Sequence, residues 1–83
     1  AIIAMGCVIR GDTAHFDFVA GEAARGIADA ARDTGVPVIF GVLTTENVEQ
    51  ALERADPSRM DKGGEAMDAA LEMAQLLRRI AAP

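Results

Sequence analysis

The sequence predicts an α/β fold on a parallel sheet, and two observations carry that prediction. Residues 1–9 and 36–43 are nearly unbroken apolar runs, rich in Ile and Val, with the length and composition of strands covered on both faces. Between and after them, apolar residues recur at spacings of three and four, the period of helices that bury one stripe. The resulting order is strand, helix, strand, helix, helix, which is a right-handed βαβ unit followed by two helices.

Each element follows from its residues. The first strand, residues 1–9, carries Ile2, Ile3, Val8 and Ile9 and gives way to the polar loop Arg10-Gly11-Asp12-Thr13. Thr13 is expected to cap a helix with the stripe Phe16, Val19, Ala20, Ala23, Ile27, Ala30 and Ala31. That helix should end near Asp33, with Gly35 as its C-terminal cap. Pro37 fits the start of the second strand, residues 36–43, where a missing N–H costs least. Thr44 or Thr45 is expected to cap the next helix, whose stripe is Val48, Ala51, Leu52 and Ala55 and which Asp56-Pro57 ends. After the turn Asp61-Lys62-Gly63-Gly64, one side of a last helix carries Ala66, Met67, Ala70, Met73, Ala74, Leu77, Ile80 and Ala81. Arg78 and Arg79 sit at the negative end of its dipole.

Composition narrows the classes of function. A chain of 83 residues makes at most one small domain, 1–83, and buries a small share of its surface on folding. With 51% hydrophobic residues it carries more apolar surface than such a core can hide, which predicts self-association. Two strands are also too few for a parallel sheet. The start in mid-strand, without Met, reads as the C-terminal part of a longer domain, with further strands expected from a preceding segment or another chain. A net charge of −5 without a basic cluster argues against nucleic acid as a partner. The apolar start is too short to span a bilayer and lacks the basic lead of a signal peptide. Cys7 is the single cysteine, so no internal disulfide forms, no Cys or His pair has metal-ligand spacing, and a reducing cytoplasm is the expected location.

In open parallel sheets, ligands bind beyond the carboxyl ends of the strands. The loop from Arg10 to His15 is such a place: free N–H groups and the dipole at the following helix start favour an anion, and Gly11 is expected to allow the tight turn. His15, the only histidine, is either a proton-transfer group there or a solvated residue of a first helical turn. Arg54 lies off its helix stripe, free to fork onto an anion or simply to offset a helix dipole. Phe40 is by default a core residue, although a place near the strand's carboxyl end would let it lie against a planar ring. Lys62 reads as a solvated loop lysine and Cys7 as a small buried hydrophobe.

Taken together, Gly6-Cys7-Val8-Ile9-Arg10-Gly11-Asp12-Thr13-Ala14-His15-Phe16-Asp17-Phe18-Val19 resembles the catalytic segment of the lumazine synthase family. The run from Gly35 to Asn47, then Glu49-Gln50-Ala51-Leu52-Glu53-Arg54-Ala55, resembles the family's next two motifs in order. Lys62-Gly63 and Ala70-Leu71-Glu72-Met73-Ala74 resemble its closing helix.

The resemblance implies a flavodoxin-like α/β/α sandwich, assembled as pentamers or icosahedral shells. It implies condensation of 5-amino-6-(D-ribitylamino)uracil with 3,4-dihydroxy-2-butanone 4-phosphate, without metal or organic cofactor. Carried over by position, Cys7, Val8 and Ile9 match the strand end that binds the pyrimidine, Asp12 and Thr13 the phosphate loop, and His15 the proton-transfer residue. Phe40 and Arg54 match residues that one subunit lends to its neighbour's site, at the pyrimidine and the phosphate respectively. Two departures stand out. Asp12 puts a carboxylate where many members have a small neutral residue, so backbone contact with the carboxylate turned away is expected. The turn from Asp56 to Asp61 lacks the usual Gly and Lys, which leaves Lys62 outside the catalytic set. The competing readings are a shell-forming relative with weak or no activity and an unrelated phosphate-binding module of similar fold.

Overall fold

The computed structural model describes residues 1–82. Its elements run β1 (Ile2–Ile9), α1 (His15–Thr34), β2 (Val38–Thr45), α2 (Val48–Ala55) and α3 (Lys62–Ala81). β1 and β2 pair in parallel, Ile2 opposite Val38 through to Ile9 opposite Thr45, and form a two-stranded sheet. The ladder is extended at both ends, where the N–H of Ile2 donates to the carbonyl of Pro37 at 2.9 Å and that of Arg10 to the carbonyl of Thr45 at 2.8 Å.

α1 packs on both strands but touches neither α2 nor α3, whereas α2 and α3 touch each other and the sheet. A ribbon two strands wide is too narrow to seat separated helices on one face, so α1 covers one side and α2 with α3 the other. Strand alternation agrees: Met5, Cys7, Gly41 and Leu43 share a small cleft with Ala55, Lys62 and Gly63. The fold is thus the predicted α/β layering on a parallel sheet.

The layers are thin. Principal extents are 53 × 31 × 11 Å, and the Cα radius of gyration of 14.7 Å exceeds the roughly 12 Å of a compact chain of this length. Among the described residues, the buried positions are Ala51, Ala66, Ala70 and Thr45. The expected burial of β1 on both faces is therefore not met within one chain: Ile2, Met5 and Ile9 stay exposed along an uncovered edge. The α2 stripe is likewise only partly covered, since Ala51 is buried while Val48, Leu52 and Ala55 are exposed.

The helix ends correct several expectations. Ala14, not Thr13, occupies the N-cap of α1 and caps nothing with its side chain; Thr13 instead accepts the N–H of His15 on Oγ1 at 3.3 Å. β2 begins and ends two residues later than expected. Pro37 has no N–H for the ladder, and the β-branched Thr44 and Thr45 continue the strand. Thr45 is buried beneath α2, its hydroxyl donating to the carbonyl of Asn47 at 3.0 Å. Asn47 is the cap of α2, accepting the N–H of Gln50 at 2.8 Å, while the Gln50 side chain accepts the N–H of Glu46 at 2.8 Å. Asp61, at φ 47°, caps α3 and accepts the N–H of Gly64, so the expected polar turn is the first turn of that helix. Gly35 takes the left-handed cap as expected, with φ 70° and its N–H on the Ala31 carbonyl. Gly11 adopts no left-handed conformation.

Candidate functional site

The candidate residues line two separate clefts, one against α1 and one along β2 against α2 and α3. The first, about 320 Å³, opens between the end of β1 and α1 and is lined by Cys7, Val8, Ile9, Gly11, Thr13, His15, Phe16 and Val19. His15 is the first residue of α1, and among the described residues nothing bonds its imidazole. Gly11 and Thr13 line the cleft but Asp12 between them does not. Cys7 is exposed, against the expectation of burial, and lines both this cleft and the small one beside Ala55, Lys62 and Gly63.

The second cleft, about 420 Å³, lies along β2 residues 39–44 and is closed by Arg54 of α2 and by Lys62, Glu65, Ala66 and Ala69 of α3. One Arg54 Nη1–H donates to the Gln50 carbonyl at 3.2 Å, which satisfies part of the helix end. Among the described residues no carboxylate pairs with Arg54, and the remaining N–H groups of its fork stay available. Lys62, in contrast, is tied to Glu65, Nζ to Oε2, at 3.0 Å.

Phe40 belongs to this second group and is 46% exposed. It is the third residue of β2, level with Ala4, and so lies near the amino end of the strand rather than the carboxyl end. Five residues of extended chain separate that level from the paired ends Ile9 and Thr45, about 16 Å at 3.3 Å per residue. In one chain, then, Phe40 and Arg54 do not share a cleft with His15. Among the described residues no three His, Cys, Asp or Glu side chains gather as a metal site requires, and no helix is long and apolar enough to cross a membrane.

A family model for 6,7-dimethyl-8-ribityllumazine synthase matches residues 1–78. The chain belongs to that family. The match runs through both clefts, and the parallel sheet with helices on either side is consistent with the flavodoxin-like architecture of lumazine synthases. Membership indicates lumazine-synthase-type function.

Two residues in or next to these clefts stand out in the structure beyond the sequence reading. Lys62 was set aside because of the unusual turn before it, yet that turn is well made: the Asp56 carboxylate accepts both the N–H and the hydroxyl of Ser58 at 2.8 Å, and the Asp61 N–H returns to the Asp56 carbonyl at 3.1 Å. These bonds, that of the Ser58 N–H foremost, then the Ser58 hydroxyl and the Arg59 charge, hold the Asp56 carboxyl below the usual carboxylate range. The chain re-enters helix at Lys62, on the wall that holds Arg54. Arg10 is the second. Its guanidinium lies 4.3 Å from the Phe16 ring centroid, and its Nε meets Glu46 Oε2 at 2.7 Å. The signal in the sequence is an arginine just past one strand, an aromatic and an acid six and seven residues on in the first turn of the next helix, and a second acid directly after the next strand.

Proposed function

We propose that the protein condenses 5-amino-6-(D-ribitylamino)uracil with 3,4-dihydroxy-2-butanone 4-phosphate to 6,7-dimethyl-8-ribityllumazine, with loss of inorganic phosphate and water, the penultimate step of riboflavin biosynthesis. The observation that carries this reading is the division of the site into two complementary half-sites, within a chain whose residues 1–78 match the family.

The first half-site offers what the pyrimidine and the proton transfers need. Cys7, Val8 and Ile9 present strand-edge backbone groups for a planar, hydrogen-bonding ring. An amine attacking a carbonyl must lose a proton, and the carbinolamine hydroxyl must gain one before it leaves as water. His15, at the cleft wall with its imidazole uncommitted, does both. Thr13 and the neighbouring N–H groups receive the phosphate, with the Asp12 carboxylate outside the cleft. The second half-site supplies the aromatic face of Phe40 and the cationic fork of Arg54, with Lys62 beside it. Phosphate fixed by this fork departs as a stabilised anion.

Because Phe40 and the His15 loop are about 16 Å apart along the strands of one chain, the complete site forms when the second cleft of one copy meets the first cleft of another. Self-association in a closed ring, a pentamer or a shell of pentamers, is the assembly this reading requires. The single free thiol of Cys7 suits a reducing compartment such as the cytoplasm. Mixing the intact protein with both substrates should give the lumazine absorbance and an equal amount of phosphate. An assembled protein that makes no product would overturn the enzymatic reading and leave a shell-forming relative in its place.

A further inference from the structure

We propose that Arg10 is a positioning residue of the His15 cleft: its guanidinium fastens the first turn of α1 to the loop that follows β2. Only the kinetic part of its test rests on the reaction proposed above.

Arg10 is the first residue beyond β1, yet its backbone N–H still donates to the Thr45 carbonyl, so its Cα is fixed by the sheet. From there the side chain makes three contacts: Nε to Glu46 Oε2 at 2.7 Å, Nη2 to Asp17 Oδ1 at 3.5 Å, and the guanidinium over the Phe16 ring at 4.3 Å. Phe16 and Asp17 directly follow His15. The backbone of Glu46 is tied to α2, since its N–H donates to the Gln50 side chain.

The first turn of α1 needs this brace. Ala14 at its N-cap supplies no side-chain acceptor, and Thr13 holds only the His15 N–H, one residue into the helix. A lone exposed ion pair is screened by solvent and orders little. A planar guanidinium held by two carboxylates and a ring face is restrained in three directions at once. Its charge matters separately: with Arg10 the trio Arg10, Asp17 and Glu46 carries −1, and without it −2, at the mouth of a cleft that must admit a phosphate. Geometry and charge can therefore be separated by substitution.

The full chain is compared with its Arg10→Lys, Arg10→Gln and Glu46→Gln variants. Lysine keeps the charge but loses the plane and the fork, so kcat should fall about 10-fold while KM for the butanone phosphate stays within about twofold. Glutamine should lower kcat as much and also raise that KM about 5-fold, the signature of lost charge. Because the chain has one histidine, carbethoxylation by diethyl pyrocarbonate reports His15 alone, whether or not the enzyme turns over. Its rate should rise about threefold in Arg10→Gln and, to a smaller degree, in Glu46→Gln, which removes one carboxylate charge and leaves the remaining contacts in place. An unchanged His15 rate in Glu46→Gln overturns the proposal even where Arg10→Gln fails to fold, and so does wild-type kcat in Arg10→Lys. A wild type without lumazine activity would sink the reaction proposed above, while the His15 rates still decide the role of Arg10.

Discussion

Replacing Arg54 by Ala tests the second half-site most directly. The substitution removes a guanidinium that lines the cleft beside Phe40 and that, among the described residues, has no carboxylate partner. A hydrogen bond to a charged group contributes about 1.5–3 kcal/mol, which is about 10- to 150-fold in affinity. Arg54 is half-buried, not enclosed, so the expectation lies at the lower end, about a 10- to 30-fold rise in KM for the butanone phosphate. KM for the pyrimidine should stay within about twofold. The helix itself should survive. Its loss is one bond of 3.2 Å to the Gln50 carbonyl, about 1 kcal/mol at most, offset in part by the better helix propensity of Ala. Steady-state kinetics on the assembled protein, each substrate varied with the other saturating, read out both constants. Arg54→Lys, with charge but no fork, should recover part of the loss. An effect confined to the pyrimidine, or a change below about threefold in KM for the phosphate substrate, would refute the assignment of Arg54 to the phosphate.

His15→Ala should lower kcat by about 10²- to 10⁴-fold in the same assay, with thermal stability nearly unchanged because nothing among the described residues bonds the imidazole; wild-type kcat would remove His15 from the proton transfers. Gly41→Ala should weaken the sheet, since a Cβ there would stand 3.0 Å from the Ala4 carbonyl oxygen and 2.8 Å from Met5 Sδ. Met5 can swing away but the Ala4 backbone cannot, so about 1–3 kcal/mol and a fall in Tm of roughly 4–20 °C are expected by calorimetry, and Met5→Ala should not rescue it. The turn holding Lys62 should weaken in acid. The folded Asp56 carboxyl titrates below its unfolded value, so its contribution is complete above the unfolded value and is lost as pH falls through the folded one. Carboxyl chemical shifts should place its midpoint below that of an unstructured aspartate, and Asp56→Asn should flatten the acid limb of stability; an ordinary midpoint would count against the Ser58 bonds.

The sequence made legible the kind and order of the elements, while Val19 and Ala30 of the α1 stripe and Met67 and Ile80 of the α3 stripe are exposed against expectation. Ile2, Ile3 and Val8 announce a strand because nothing polar interrupts them, and Ala20, Ala23, Ile27 and Ala31 are the half-buried stripe their spacing foretells. Caps were less legible, since several adjacent residues could do the same work: Thr44, Thr45 and Asn47 can all accept an N–H, and burial of Thr45 under α2 decides for Asn47. The position of Phe40 along its strand depended on where Pro37 lets pairing begin, an outcome of the β1 register and not of the residues around Phe40. Arg10 was missed because its partners Glu46 and Phe16 come together only once both strands end at the same level.

The same openness that separates the two clefts bears on how they come together. A compact chain of 8.7 kDa exposes roughly 4,700 Å², whereas this one exposes 5845 Å², an excess of about 1,100 Å². A standard protein interface covers about 800 Å² on each partner, the same order as this excess. Its apolar share is concentrated where the half-sites lie. Leu52, 63% exposed, and Val48, 58% exposed, are on the helix that carries Arg54, and the 71% exposed Phe18 follows His15 by three residues on α1. A contact between copies that covers these side chains would also carry Arg54 toward a second copy's His15 cleft. In the assembly proposed for this protein, covering these apolar side chains and bringing the two clefts together would be one event.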